Sequence, residues 1–132
     1  DARAMGSELG KDEPLPDLVV TSIARRARST AKRVAKTWGY TGQVQIDERL
    51  YEGTRQGCLT LLREMDDSIQ ALVLVGHNPH LEEMVFLLGD RAVPLSTGTC
   101  VRIDLAIEHW ADLQLPADGC VRRVRQVASE AR

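Results

Sequence analysis

The chain has 132 residues, of which 43% are hydrophobic and 4% aromatic, and its formal net charge is −2. This composition predicts a single domain over residues 1–132 that is able to bury a core. No apolar run is long enough to span a bilayer and no charged-then-apolar leader is present, so we expect a cytoplasmic protein with no membrane partner. The slightly negative charge and the scarcity of aromatic residues also argue against nucleic-acid binding.

The three cysteines, Cys58, Cys100 and Cys120, are odd in number, widely spaced and set among apolar neighbours. This pattern predicts reduced thiols in the core and neither a disulfide framework nor a metal site.

Helical and strand patterns alternate along the first half of the chain. Ala2, Met5 and Leu9 recur at helical spacing and predict a helix that begins at Asp1 and ends at Gly10, before a loop over 11–17. A short buried strand is predicted over 18–20. The strongest periodicity predicts a helix from Arg25 to Trp38, ended by Gly39, with an apolar face made of Ala24, Ala27, Ala31, Val34, Ala35 and Trp38.

The same alternation continues in the second half. A strand is predicted over 44–50, then a helix with Cys58, Leu61, Leu62 and Met65 on one face and an exit turn over 66–68. Further strands are predicted over 71–75, 99–105 and 120–127. Strands that alternate with helices predict a mostly parallel sheet with helices on both faces, that is, a three-layer α/β/α sandwich.

The segment from Leu72 to Pro79, Leu-Val-Leu-Val-Gly-His-Asn-Pro, carries the most information. A buried parallel strand would deliver His77 to the carboxyl edge of the sheet, where α/β proteins place their chemistry. Asn78 suits the N-cap and Pro79 the first position of the next helix, which should bury Leu81, Met84, Val85 and Leu88 and stop at Gly89. Alternatively, His77 is a hydrogen-bonded core histidine.

Arg26 lies where a strand ends and a helix begins, so its guanidinium could reach the same edge. The planar fork of arginine suits phosphate because it donates two parallel hydrogen bonds. The alternative is a solvated basic face, since this helix carries six cationic residues: Arg25, Arg26, Arg28, Lys32, Arg33 and Lys36.

Other chemistries have little support in the sequence. Nothing in the pattern brings His80 or His109 near a carboxylate or a thiol. No spacing indicates zinc, and neither a Walker-type phosphate loop nor a Gly-x-Ser-x-Gly elbow is present.

Taken together and in order, several blocks resemble the histidine phosphatase (phosphoglycerate mutase-like) superfamily, and within it the small SixA-like phosphohistidine phosphatases. The blocks are Leu18-Val-Val-Thr-Ser22 with Arg26-Ala-Arg-Ser-Thr-Ala31, Asp47-Glu-Arg-Leu-Tyr-Glu52, Leu72 to Glu83 and, more weakly, Leu95-Ser-Thr-Gly98 and Trp110-Ala-Asp-Leu113. Ile23 stands where proline is usual and Ser29 where glutamine is usual.

The resemblance implies a phosphoglycerate mutase-like fold and also reveals a missing part. Members open with a strand that ends in Arg-His-Gly or Arg-His-Ala, whose histidine is the nucleophile, and this sequence contains no Arg-His pair. We therefore expect the chain to be N-terminally incomplete, with its first strand missing.

The activity that the resemblance implies is transfer of a phosphoryl group to the missing histidine, followed by hydrolysis. Arg26 and His77 would hold the phosphoryl oxygens, with Asn78 also binding substrate, because the transition state spreads negative charge over those oxygens. Glu52 would be the acid, although a solvated carboxylate at a strand end is an equal alternative. No metal or organic cofactor is expected.

Two kinds of partner fit this activity, a phosphorylated protein or a small phosphorylated compound. The alternative function is a non-catalytic phosphate-binding or interaction domain of the same fold.

Overall fold

A computed structural model of the chain describes residues 2–127. Its elements in chain order are α1 (Ala2–Asp12), β1 (Leu18–Thr21), α2 (Arg25–Trp38), β2 (Val44–Ile46), α3 (Arg49–Glu52), α4 (Arg55–Arg63), β3 (Leu72–Val75), α5 (His80–Gly89), β4 (Thr99–Asp104), a 3₁₀ turn (Trp110–Asp112) and β5 (Cys120–Gln126).

The fold is mixed α/β, and residues 2–127 form two separate sheets. The first is parallel, in the order β2-β1-β3, and its register pairs Thr21 with Ile46 on one side and with Val75 on the other. The three strands therefore end level with one another at their carboxyl edge. The alternation of strands and helices predicted that β4 and β5 would join this sheet, and this is wrong. They pair with each other instead, as the antiparallel ladder β4-β5.

The two faces of the parallel sheet pack against different helices because successive side chains of a strand point to opposite faces. Val19 and its neighbours on one face contact Ala31 and Ala35 of α2. Val20 on the other face belongs to a larger cluster supplied by α3, α4, α5 and the 3₁₀ turn, with the buried members Leu50, Cys58, Leu61, Leu62, Met84, Leu87, Leu88 and Leu113.

Helix α2 confirms the predicted bounds, Arg25 to Trp38. Gly39 ends it in the left-handed region, at φ 101°, where its N–H bonds to the carbonyls of Ala35 and Lys36. The first helix differs, because it runs past Gly10 to Asp12. Contacts with the β4-β5 ladder hold this extra turn, since Asp12 pairs with Arg123 at 2.7 Å. The predicted start at Asp1 lies outside the described residues.

The predicted strand over 44–50 is wrong at its end, because the chain leaves the extended conformation after Ile46. The Asp47 carboxylate accepts hydrogen bonds from the backbone N–H and the guanidinium of Arg49, which turns the chain into α3 and buries Leu50. This ion pair holds the pKa of Asp47 below its usual range, since the Arg49 guanidinium donates to the carboxylate.

Helix α5 ends at Gly89, as predicted, but departs from its predicted buried face. Gly89 is its last helical residue, and the left-handed residue after it is Asp90, at φ 54°. Leu81 is only partly buried, whereas Leu87 joins the core.

The cysteines confirm the expected core thiols only in part. All three are free; Cys58 is buried, Cys100 is half-buried and Cys120 is exposed. Burial raises the pKa of the Cys58 and Cys100 thiols. Cys120 is exposed because it opens β5, in which most side chains face solvent.

Within residues 2–127, no helix has the length and the apolar content that crossing a membrane requires.

Gly6 brings α1 and α2 into close contact. A Cβ at this position would lie 1.7 Å from Thr37 Oγ1 and 2.6 Å from the backbone oxygen of Val34. In an unconstrained helix, glycine to alanine stabilises by about 1 kcal/mol. We expect Gly6→Ala to destabilise instead, by about 1–3 kcal/mol, because the backbone oxygen has to move.

The free energy of unfolding in urea tests this sign. Ser7→Ala, at an exposed position of the same helix, is the matched control and should change stability by less than about 0.5 kcal/mol. An increase in stability for Gly6→Ala would contradict the close approach of the two helices.

Candidate functional site

The carboxyl edge of the parallel sheet places Ser22 and His77 side by side. The backbone N–H of Ser22 donates to the Val75 carbonyl at 3.0 Å, which continues the β1-β3 pairing by one residue. Ser22 Oγ and His77 Nε2 lie 2.6 Å apart, with Ser22 fully buried and His77 half-buried. His77 therefore lies at the predicted edge of the sheet, and it is also hydrogen-bonded there. The interpretation as a residue at the carboxyl edge and the interpretation as a hydrogen-bonded histidine both describe this position.

Sequence reasoning assigned no role to Ser22. Its hydroxyl also accepts the backbone N–H of Ala24 at 3.2 Å, so it bridges the end of β1, the start of α2 and the histidine. The sequence offered one signal: Ser22 and His77 each lie two residues after a predicted strand, and neighbouring parallel strands end at the same edge of a sheet.

Tyr51 is a second residue that the sequence analysis missed. Its ring meets the imidazole of His77 edge to face, with centroids 5.7 Å apart and planes at 88°, a favourable aromatic geometry. Tyr51 belongs to α3 and is 56% exposed, so it lies between His77 and solvent at this edge of the sheet.

Glu52 follows Tyr51 as the last residue of α3 and is exposed. Its carboxylate forms no hydrogen bond or ion pair with any residue between 2 and 127. Gly53 follows at φ 69°, and a Cβ there would lie 1.9 Å from Cδ2 of His80. The turn after α3 thus presses against the start of α5, and His80 packs there. The structure brings the Glu52 segment beside the His77 segment without joining the two side chains.

Arg26 lies in the first turn of α2, four residues after Ser22, and it is exposed. Its side chain has no ion pair with the described residues, so it is held neither by a carboxylate nor by His77. Arg28 differs from it: it is half-buried, and its Nε is buried without a partner among those residues.

The predicted N-cap role of Asn78 is wrong. Pro79 occupies the cap position of α5, and the Asn78 amide instead donates to the backbone oxygen of Leu95 and, at 3.4 Å, to Glu82. The Glu82 carboxylate also accepts the Leu95 N–H at 2.7 Å. Asn78 therefore ties the loop before β4 to the site through its amide N–H₂ group, while α5 begins without a side-chain cap hydrogen bond.

His109 does have a carboxylate partner, which the sequence analysis missed. Its Nδ1 lies 2.9 Å from Asp67, which follows α4 and is 42 residues away in sequence. Hydrogen bonding to Asp67 raises the pKa of His109, and the same bond lowers the pKa of Asp67. Both groups are well exposed, so the pair adds little to stability.

We therefore expect His109 to titrate above its ordinary value of 6.5. Because the folded pKa is the raised one, the pairing is complete below about pH 6.5 and is lost as pH rises through the raised pKa. An NMR titration of the His109 ring measures this, and Asp67→Asn should return the pKa to its ordinary value. Asp66→Asn, one residue away, is the control. A titration that Asp67→Asn does not change would contradict the assignment.

No cluster of metal-binding type is found in the described part of the chain: no three His, Cys, Asp or Glu side chains converge there. A cationic groove lies instead between α1 and α2, with a volume of about 360 Å³, and its lining residues are Arg3, Lys32, Arg33, Lys36 and Thr37.

Comparison with solved structures shows a likeness in fold. No model of a known protein family matches the chain, and no curated protein matches it either. The fold is similar to a solved structure from Nakamurella multipartitia described as a "Putative Phosphohistidine Phosphatase SixA", with a TM-score of 0.74 and 24% sequence identity. The alignment covers 96% of this chain and 80% of that one.

Proposed function

We propose that this chain is the greater part of a SixA-like histidine phosphatase, a hydrolase of phosphohistidine or of a similar phosphorylated compound. The observation that carries the proposal is His77 at the carboxyl edge of β3, hydrogen-bonded to Ser22, in a fold similar to the Nakamurella structure. The ordered match of the sequence blocks supports the same assignment. Because fold alone does not establish function, the site residues bear most of the argument.

The unpaired side of β3 is an argument for a further strand in this sheet. Among residues 2–127, β3 pairs with β1 alone, and each of its four apolar residues is only partly buried. By contrast β1, which is flanked on both sides, is buried at Val19, Val20 and Thr21. An apolar edge of this kind exposes unpaired backbone groups. We propose that an upstream strand ending in Arg-His covers it and that residues 1–132 form one N-terminally incomplete domain, a three-layer α/β/α sandwich.

In the proposed mechanism the upstream histidine attacks phosphorus and the bond from phosphorus to the leaving group breaks. Arg26 and His77 hold the phosphoryl oxygens, with Asn78 also binding substrate, and this charge positioning supplies most of the rate enhancement. Glu52 protonates the leaving group and then activates the water that hydrolyses the phosphohistidine. Its carboxylate is exposed and forms no hydrogen bond or ion pair with residues 2–127, which both this role and a solvated carboxylate require.

The experiment compares residues 1–132 with a longer chain that includes the native upstream segment. The longer chain should hydrolyse a phosphohistidine peptide and p-nitrophenyl phosphate and should form an acid-labile phosphoenzyme. Residues 1–132 alone should show no turnover, because loss of a covalent nucleophile removes the pathway. Turnover by residues 1–132 that His77→Ala abolishes would contradict the upstream nucleophile.

A second candidate function is a non-catalytic phosphate-binding or interaction domain. The cationic groove between α1 and α2 favours it, because four basic side chains line one small cavity. An inactive longer chain that binds inorganic phosphate, with the affinity lost in a Lys32→Gln, Lys36→Gln variant, would support this candidate over the phosphatase.

A phosphorylated protein or a small phosphorylated compound is the proposed substrate class, with no nucleic-acid or membrane partner. The cytoplasmic location likewise stays a prediction, which cell fractionation tests.

A further inference from the structure

The contact between Ser22 and His77 determines more than the position of the ring. A serine hydroxyl has one proton to donate and two lone pairs that accept. The Ala24 N–H donates to Ser22 Oγ at 3.2 Å and occupies one lone pair. Ser22 is 0% exposed, so solvent does not reach its proton.

The remaining question is where that proton goes. Among residues 2–127, the acceptor within hydrogen-bond distance of Ser22 Oγ is His77 Nε2, at 2.6 Å. A buried hydroxyl proton without an acceptor costs free energy, so the hydroxyl should donate to this nitrogen. A nitrogen that accepts carries no proton, and a neutral imidazole then has its single proton on Nδ1.

We propose that Ser22 is a positioning residue that holds neutral His77 in the Nδ1–H tautomer. The ring is fixed from two sides, by Ser22 at Nε2 and by the edge-to-face contact with Tyr51. Nδ1 forms no hydrogen bond with the part of the chain that the structure describes. The Nδ1–H group is therefore the donor that His77 offers to a ligand oxygen.

The use of that donor rests on the proposed function, in which His77 holds a phosphoryl oxygen. A donor that is aimed before the substrate arrives needs no reorganisation in the transition state. The tautomer itself follows from the hydrogen bonds alone and does not depend on the reaction.

The chain offers a matched control in the neighbouring residue. Thr21 is as fully buried as Ser22, but its hydroxyl has no hydrogen-bond partner among the described residues. Thr21→Val therefore removes a buried hydroxyl one position away without touching His77. Ser22→Ala removes the hydroxyl that contacts the ring.

The tautomer is measured by ¹⁵N NMR of the histidine rings in residues 1–132, at a pH where the imidazoles are neutral. His77 should show a protonated Nδ1 and an unprotonated Nε2. Ser22→Ala should give the averaged shifts of a tautomer mixture, whereas Thr21→Val should keep the wild-type pattern. Two results would overturn the proposal. One is a wild-type spectrum with the proton on Nε2, and the other is a Ser22→Ala spectrum with the same pattern as wild type.

Activity of the longer chain, with its upstream segment, tests the consequence. Ser22→Ala should lower kcat roughly tenfold or more, as loss of a group that orients a functional histidine does, and Thr21→Val should leave it unchanged. An inactive wild-type chain overturns the proposed function but leaves the tautomer result standing. An active wild type whose kcat Ser22→Ala does not change overturns the positioning role.

Discussion

Replacing His77 by alanine in the longer, upstream-extended chain should lower kcat by about a hundredfold or more. The expectation follows from the loss of one preorganised donor at the point where charge develops on the phosphoryl oxygens. Structure supports the preorganisation, because the ring is held by Ser22 at 2.6 Å and by Tyr51. The measurement is steady-state hydrolysis of a phosphohistidine peptide by protein whose folding has been verified by circular dichroism.

His109→Ala is the matched control for this prediction. His109 is exposed and interacts with Asp67, which follows α4, so its loss should leave kcat within about twofold. A drop of less than about threefold for His77→Ala would show that the histidine is a structural residue at a sheet edge.

Arg26→Ala should also lower kcat by about a hundredfold or more, since removal of a guanidinium that stabilises the transition state has an effect of that order. Its exposed side chain, without an ion pair among residues 2–127, is consistent with a group whose partner is the substrate. Steady-state hydrolysis of the same phosphohistidine peptide measures the effect.

Arg25→Ala is the closest control, because Arg25 is also exposed and lies in the same turn. Arg28 is a poorer control, since its buried Nε makes its removal a packing change as well. If Arg25→Ala and Arg26→Ala lower kcat equally, and if added salt reduces both differences from wild type, the arginines form a diffuse basic face and not a specific phosphate site.

Local pattern was sufficient for several elements. Helix α2 has the predicted bounds because its alanines recur at helical spacing and Gly39 takes a left-handed conformation that other residues rarely adopt. The position of His77 after β3 was also predicted from the sequence. An unbroken apolar run that ends at Gly-His predicts a strand, and the residues after a parallel strand lie at the carboxyl edge of its sheet. These features depend on residues within one or two turns of each other.

Other features depended on partners far away in sequence. A strand pattern does not state which strand it pairs with, so the separate β4-β5 ladder was not predicted. Asn78 fits the local pattern of a helix cap, but its amide donates instead to the backbone oxygen of Leu95, 17 residues away, and to Glu82.

The sequence by itself therefore determined most of the helices and strands, the residue types at the strand ends and the resemblance to histidine phosphatases. Only the tertiary structure decided what those residues contact. Ser22 and His77 are 55 positions apart, and they meet because the β1-β3 register ends both strands level. Periodicity reports which face of an element is buried, whereas register and side-chain pairing are set by the free energy of the whole packed chain.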